Sequence, residues 1–218
     1  MRLITRTAVA AALMTAAFVV PSSAVAAPHT GGLDLTATPE QPAETAPPAV
    51  GAVEIPAGMR TTNGVRAKRY KGKNADGRTA YFARVPLKAP VEVQRAVIAA
   101  NKIVGKPYKW GGGHAKVEDS GYDCSGTVSY SLIGAGLLKT PLSSYEFDDV
   151  WKVAERGKGQ WISVYGNRSH VYAVIAGLRL DTSAAGDRSG SRRLKGPQWR
   201  PDNRTDAKRF TLVHPTGL

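Results

Sequence analysis

From Pro90 onward the hydrophobic pattern changes period once, from helical to alternating. Val93, Val97, Ala100 and Val104 recur at helical spacing, and Ile98 and Ala99 widen the stripe. Pro90 suits the start of this helix, and Gly105 and Pro107 end it. Tyr108 to Gly121 reads as loop. A second helix runs from Cys124 to about Ile133, with Val128 and Leu132 on one face and Gly134 and Gly136 as terminators. Leu142 to Ala154 reads as loop plus a short helix, with Tyr145, Phe147 and Trp151 as core aromatics. After Gly157-Lys158-Gly159 the pattern alternates. Gln160–Tyr165 predicts a strand, Gly166–Ser169 a turn, and His170–Ala176 a strong strand. Gly177 turns the chain back into Leu178–Thr182. Ala184–Asp206 is polar loop, and Arg209–His214 is a last strand. Helices first and an antiparallel sheet second predict an α+β fold.

The segments before Pro90 differ in kind. Met1–Arg6 is basic, Ala8–Val20 is apolar, and Ala24-Val25-Ala26 has small residues, which together read as an export leader spanning residues 1–26. The apolar run is short and alanine-rich for a membrane span, and no later segment is long enough for one. Residues 27–58 are rich in Pro, Ala, Thr and Glu and read as linker. Residues 59–89 are basic, with turn chemistry at Asn74–Gly77 and a strand pattern at Thr79–Val85. They form either a hairpin packed on the main domain or a basic arm. The main domain then covers residues 90–218, including a C-terminal tail.

Charge and cysteine content narrow the chemistry. The formal net charge is +13, and loss of Arg2 and Arg6 with the leader leaves +11. An exported protein of this charge is drawn to anionic wall polymers. The basic residues are scattered and not interleaved with aromatics, which favours a solvated basic surface over a dedicated polyanion site and argues against nucleic acid. One cysteine excludes an internal disulfide, and one Cys with four His lacks the spacing of a structural zinc site. Neither a metal nor another cofactor is expected.

That single cysteine, Cys124, falls at the first turn of a helix, where free N–H groups and the helix dipole favour the thiolate. A thiolate nucleophile needs a base and usually a group to orient it. His29 lies in the linker, His214 near the C-terminus, and His114 in the loop before Cys124. His170 opens the strongest strand and is favoured as base, because a rigid strand fixes its geometry; the plainer reading of His114 is an exposed loop residue. Asp181 is the chosen orienter, since a hairpin closed at Gly177 can bring its carboxylate to the imidazole; the competing reading is a strand-end turn cap. Gly111-Gly112-Gly113 lacks the Lys-Ser/Thr of a phosphate loop and serves to bring backbone close to the helix start.

Three stretches resemble the NlpC/P60 family of cell-wall cysteine peptidases: Gly105-Lys106-Pro107-Tyr108-Lys109-Trp110-Gly111-Gly112, Gly121-Tyr122-Asp123-Cys124-Ser125-Gly126, and Ser169-His170-Val171. The resemblance covers roughly Pro90 to Thr182. It implies a papain-like fold, with the Cys124 helix packed on an antiparallel sheet bearing His170. It implies secretion to the cell wall and hydrolysis of peptide bonds in the peptidoglycan stem peptide. It also implies that Tyr108 lines the substrate groove and that Asp123 and Ser125 hold the stem's free amine. Asp123 read by itself serves equally as the N-cap of the Cys124 helix. The chain departs from the family at three places. Gly159-Gln160-Trp161-Ile162 replaces a Pro-Gly-Asp turn, Asp181 stands for the third polar residue, and Tyr172 replaces a glycine after His-Val. A bulky Tyr172 on the His170 face is expected to narrow the groove. The alternatives to hydrolysis are a catalytically silent wall-binding protein and an acyl transferase working through the same thioester.

Overall fold

The computed structural model describes residues 53–149, 151 and 154–218. The predicted leader and most of the predicted linker lie outside the described residues. Val53, Ile55 and Met59 are partly buried against the hydrophobic core, so packing begins inside the stretch read as linker.

Strand β1 (Thr61–Thr62) runs parallel to β3 (Thr79–Pro86), which pairs antiparallel with β2 (Lys68–Lys73). Residues 59–89 are therefore a hairpin and not a free arm. Its turn closes where Gly77 N–H donates to the Asn74 carbonyl and Arg78 N–H to the Asn74 side chain. Ala80, Ala83 and Val85 of β3 are buried. Asn101 grips the strand's backbone at Ala83 in both directions, 3.1 and 2.8 Å.

Helix α1 (Val91–Ile103) buries Val93, Ala96, Val97, Ala100 and Ile103, as its spacing predicts. Helix α2 (Cys124–Gly134) is buried on nearly every side. Its polar residues are satisfied locally. Thr127 Oγ1 donates to the Asp123 carbonyl, Ser131 Oγ to the Ala96 carbonyl, and Ser129 Oγ accepts from Leu142 N–H. Small hydroxyl residues let a central helix sit between neighbours without orphaned polar groups. Gly134 is where α1 and α2 approach, since a Cβ there would overlap the Cβ of Ala99.

The short helix α3 (Glu146–Asp149) carries buried Phe147, with Trp151 buried just beyond it. Tyr145 differs from the sequence expectation. It precedes the helix and is 54% exposed, because Glu146 folds back to accept from Ser143 N–H at 2.6 Å and closes the turn beneath it.

The main sheet contains β4 (Ala154–Arg156), β5 (Ile162–Gly166), β6 (Val171–Ile175), β7 (Leu178–Asp181), β8 (Gln198–Arg200) and β9 (Thr211–Pro215), in the order β4-β9-β5-β6-β7-β8. Every pairing in it is antiparallel. The α+β class therefore holds. The tail does more than wrap the domain: β9 inserts between β4 and β5, and β8 extends the other edge. Gln198, Trp199 and Arg200 of β8 are all buried. Two hydrophilic residues flanking one tryptophan gave β8 no apolar period to read. Among the described residues, no helix is long and apolar enough to cross a membrane.

Candidate active site

Asp123 builds the start of α2. It stands in extended conformation at the N-cap, and its Oδ1 accepts from Gly126 N–H at 2.7 Å. Its main-chain carbonyl accepts from Thr127 N–H. These bonds leave the N–H groups of Cys124 and Ser125 without a partner among the described residues, at the positive end of the helix.

The glycine loop locks that start in place. Asp123 N–H donates to the Gly112 carbonyl, and Gly111 N–H donates to Asp123 Oδ2 at 3.0 Å. The Gly112 carbonyl lies where a Cβ on Gly126 would be. The close backbone approach expected of the glycine run is thus the packing of the loop on the first turn of α2. Gly126→Ala is expected to lower stability by about 1–3 kcal/mol. A rigid carbonyl cannot yield as a side chain can, so the variant should also label more slowly at Cys124. Denaturant melts and iodoacetamide rates check both expectations.

His170 is fixed from below. Asn167 Oδ1 accepts from Ser169 N–H and His170 N–H, both at 2.9 Å, and Asn167 N–H donates to the His170 carbonyl. This delivers His170 at the lip of β6, one residue before the strand proper. The tight Ala176-Gly177 turn, both residues at positive φ, sets the β6–β7 register at Ala173 against Leu180. One step further along, Asp181 shares a face with His170, and His170 Nε2 lies 2.8 Å from Asp181 Oδ1. The other ring nitrogen, Nδ1, is not engaged by Asp181, and the Cys124 thiol is close enough to act on the ring. Burial disfavours a charged ring there, but hydrogen bonds and charge from Asp181 and Cys124 outweigh it and push His170 up to about 9.

Of the predicted residues, His170 and Asp181 are hydrogen-bonded, and Cys124 lies close enough to influence the ring. Ser125 and Tyr108 stand beside it. Ser125 Oγ donates to Asp123 Oδ1 at 3.2 Å. Tyr108 is 47% exposed, and its hydroxyl is raised by partial burial and by the nearby charges of Cys124 and Asp123. Trp110 and Tyr145 are further exposed aromatics, and Tyr145 lines a groove of about 820 Å³ at the turn that carries His170.

His114 differs from the sequence reading. It is not a free loop residue: its Nε2 lies 3.2 Å from Asp123 Oδ1 and 3.1 Å from Ser125 Oγ. The hydrogen bond to Asp123 raises His114, against the opposing effect of burial. Burial pulls Asp123 upward, but its bonds to His114 and Gly126 N–H leave it below the ordinary carboxylate value. The position of His114, directly after three glycines and close before the cysteine, was the available signal. His214 instead reaches the Gly157 carbonyl through Nδ1 at 3.1 Å and belongs to the β4–β9 edge.

Arginines complete the surroundings of Asp181, and the sequence reading did not find them. Arg204 Nη1 donates to Asp181 Oδ2 at 3.0 Å, and Arg179 Nε lies 3.3 Å from the same oxygen. Arg204 is clamped by Asp206 and lies against the rings of Tyr172 and Phe210 at 4.9 and 4.8 Å. Tyr172 itself is buried, stacked on Tyr165 at 4.6 Å. It does not narrow an open groove, because the tail covers it with Arg204 and Phe210. Arg179 and Asp181 at alternate positions of one strand were a legible pair; Arg204 carried no local signal.

Among the described residues, no group of His, Cys, Asp and Glu is arranged to hold a metal ion. The arrangement sets a thiol beside an imidazole that is bonded to a buried carboxylate. Comparisons with protein-family models, curated proteins and solved structures returned no match.

Proposed function

We propose that this protein is an exported cysteine hydrolase of the NlpC/P60 type, with a papain-like fold, that cleaves peptide bonds in the peptidoglycan stem peptide. The observation that carries the reading is the hydrogen-bonded His170–Asp181 pair beside the Cys124 thiol, whose sulfur stands at the open N-terminus of α2. His170 takes the thiol proton, and the Cys124 thiolate attacks the scissile carbonyl. The unpartnered N–H groups at the start of α2 stabilise the oxyanion. The imidazolium returns its proton to the leaving amine as the C–N bond breaks, leaving a thioester. Neutral His170 then activates water, which releases the acyl group and restores the thiol.

Tyr108, Trp110 and Tyr145 offer exposed aromatic surface for an extended peptide. Asp123 Oδ1 already has three neighbours within hydrogen-bond range, whereas Oδ2 accepts from Gly111 alone. A carboxylate oxygen has room for a second donor, so Oδ2 is the atom we assign to the free amine of the stem.

Incubation of the purified protein with a panel of stem peptides, read by mass spectrometry, tests the reading. Hydrolysis at one peptide bond is the expected result. No cleavage across the panel would leave a wall-binding role, and transfer to added amines would indicate an acyl transferase.

The pH dependence follows from His170. Its proton is held more tightly in the folded protein than in the unfolded chain. The stabilisation is complete below about 6.5, the ordinary value, and is lost as pH rises through about 9. Activity that needs the imidazolium is expected to fall along an alkaline limb centred near that value. Cys124→Ala removes two of the influences that raise the ring, so its imidazole should titrate lower than in the wild type. NMR titration of the His170 ring checks the difference.

A further inference from the structure

A second site stands away from the cysteine, where the hairpin β2–β3 faces the loop before β8. A groove of about 720 Å³ opens there, lined by Lys71 and Thr79 on one wall and Arg188, Ser189, Arg192 and Arg193 on the other. All four basic side chains are exposed. None makes an ion pair or side-chain hydrogen bond among the described residues, and no carboxylate lines the groove. Four unpaired cations around one concavity raise the local positive potential, which favours an anionic occupant.

The arginine wall is held rigid from behind. Ser189 caps a single 3-10 turn at Gly190–Arg193. Buried Arg200 donates to the carbonyls of Ser191 and Leu194, both at 2.7 Å, and to Asp187 Oδ2 at 3.1 Å. Asp187 in turn accepts from Ser189 N–H, Ser189 Oγ and Ser191 Oγ. Across the gap, Arg69 donates to Ser189 Oγ and Ser191 Oγ at 2.8 and 2.7 Å, tying the turn to the hairpin. Asp187, Arg200 and Arg69 are therefore consumed in shaping the turn, while Arg188, Arg192 and Arg193 are left to the groove.

We propose that this groove binds a linear polyol-phosphate polymer. Its size exceeds what one phosphate fills, and its charges are spread over two walls, which suits successive phosphodiesters. Thr79 Oγ1 accepts from Lys73 Nζ and keeps its own proton, which suits a hydroxylated backbone. A single-stranded nucleic acid would need aromatic faces for its bases. The one ring present, Tyr81, has a face covered by the Arg69 guanidinium at 4.5 Å. Folding gathers four of the scattered basic residues around one groove while leaving them solvent-exposed.

The test uses fluorescein-labelled poly(glycerol phosphate) and oligo-dT of equal phosphate count, with the full chain and anisotropy as readout over a salt series. The Arg188→Ala/Arg192→Ala/Arg193→Ala variant is expected to bind the polyol phosphate about 10-fold or more weakly, with a log–log salt slope shallower by about 2. Lys71→Glu, a single exposed change on the opposite wall, is expected to weaken binding too, and thermal melts verify that both variants fold. Free stem-peptide hydrolysis should be unchanged in both, which separates this site from the Cys124 reading. Three outcomes would overturn the proposal: no binding by wild type at low salt, equally tight binding of oligo-dT, or an equal loss in an Arg95→Ala/Lys102→Ala/Lys139→Ala control.

Discussion

Replacing Cys124 with alanine is expected to lower kcat/KM for the stem peptide by about 10⁴-fold or more, and His170→Ala by a similar factor. The two losses should not add, because both groups serve one proton transfer and one bond-forming step. The double variant should match the worse single variant. The structural reason is their closeness: His170 lies 2.8 Å from Asp181, and the Cys124 thiol is near enough to act on the same ring. His114 cannot substitute as base, since its Nε2 is engaged by Asp123 and Ser125. Steady-state kinetics on the single and double variants check this. Full additivity would show that Cys124 and His170 act separately, and residual hydrolysis in Cys124→Ala near the wild-type rate would remove the thiolate from the mechanism.

Asp181→Ala is expected to destabilise the fold by about 3–5 kcal/mol, the cost of stranding buried charge. For a chain of this length that corresponds to a fall in Tm of about 6–20 °C. The Asp181 and Arg179 side chains are 0% exposed and Arg204 is 7% exposed. Asp181 is the one carboxylate in ion-pair range of Arg179 among the described residues. Asp181→Asn separates the two duties of this residue. An amide oxygen still accepts from His170 Nε2, so imidazole orientation and much of the activity should survive. The charge facing Arg179 and Arg204 is lost, so most of the stability loss should remain. Calorimetry and kinetics on both variants read the two effects independently. A stable but inactive Asp181→Asn would show that charge on His170, and not packing against the arginines, is the main role of the carboxylate.

The asymmetry between these predictions reflects what could be read locally. The nucleophile and its helix are legible because an N-cap, a first turn and its terminating glycines are all encoded within about a dozen neighbouring residues. His170 and Asp181 are legible for a related reason: a tight turn at Gly177 leaves few registers, and period-2 alternation then fixes which side chains share a face. Arg204 and Arg200 are different. Each lies in a polar tail with no period, and each reaches its partner by backbone that returns from the far edge of the sheet.

The sequence by itself determined the two main helices, the central hairpin, the α+β class, the place of Cys124 at a helix start, and the meeting of His170 with Asp181 across the hairpin. All depend on spacing between near neighbours, where chain geometry leaves little freedom. Only the tertiary structure decided that the tail supplies two strands, that His114 belongs with Asp123, that Tyr172 is covered, and that Lys71 faces Arg188, Arg192 and Arg193. Those are contacts between residues far apart in the chain, set by the packing of the whole core, and no local pattern encodes them.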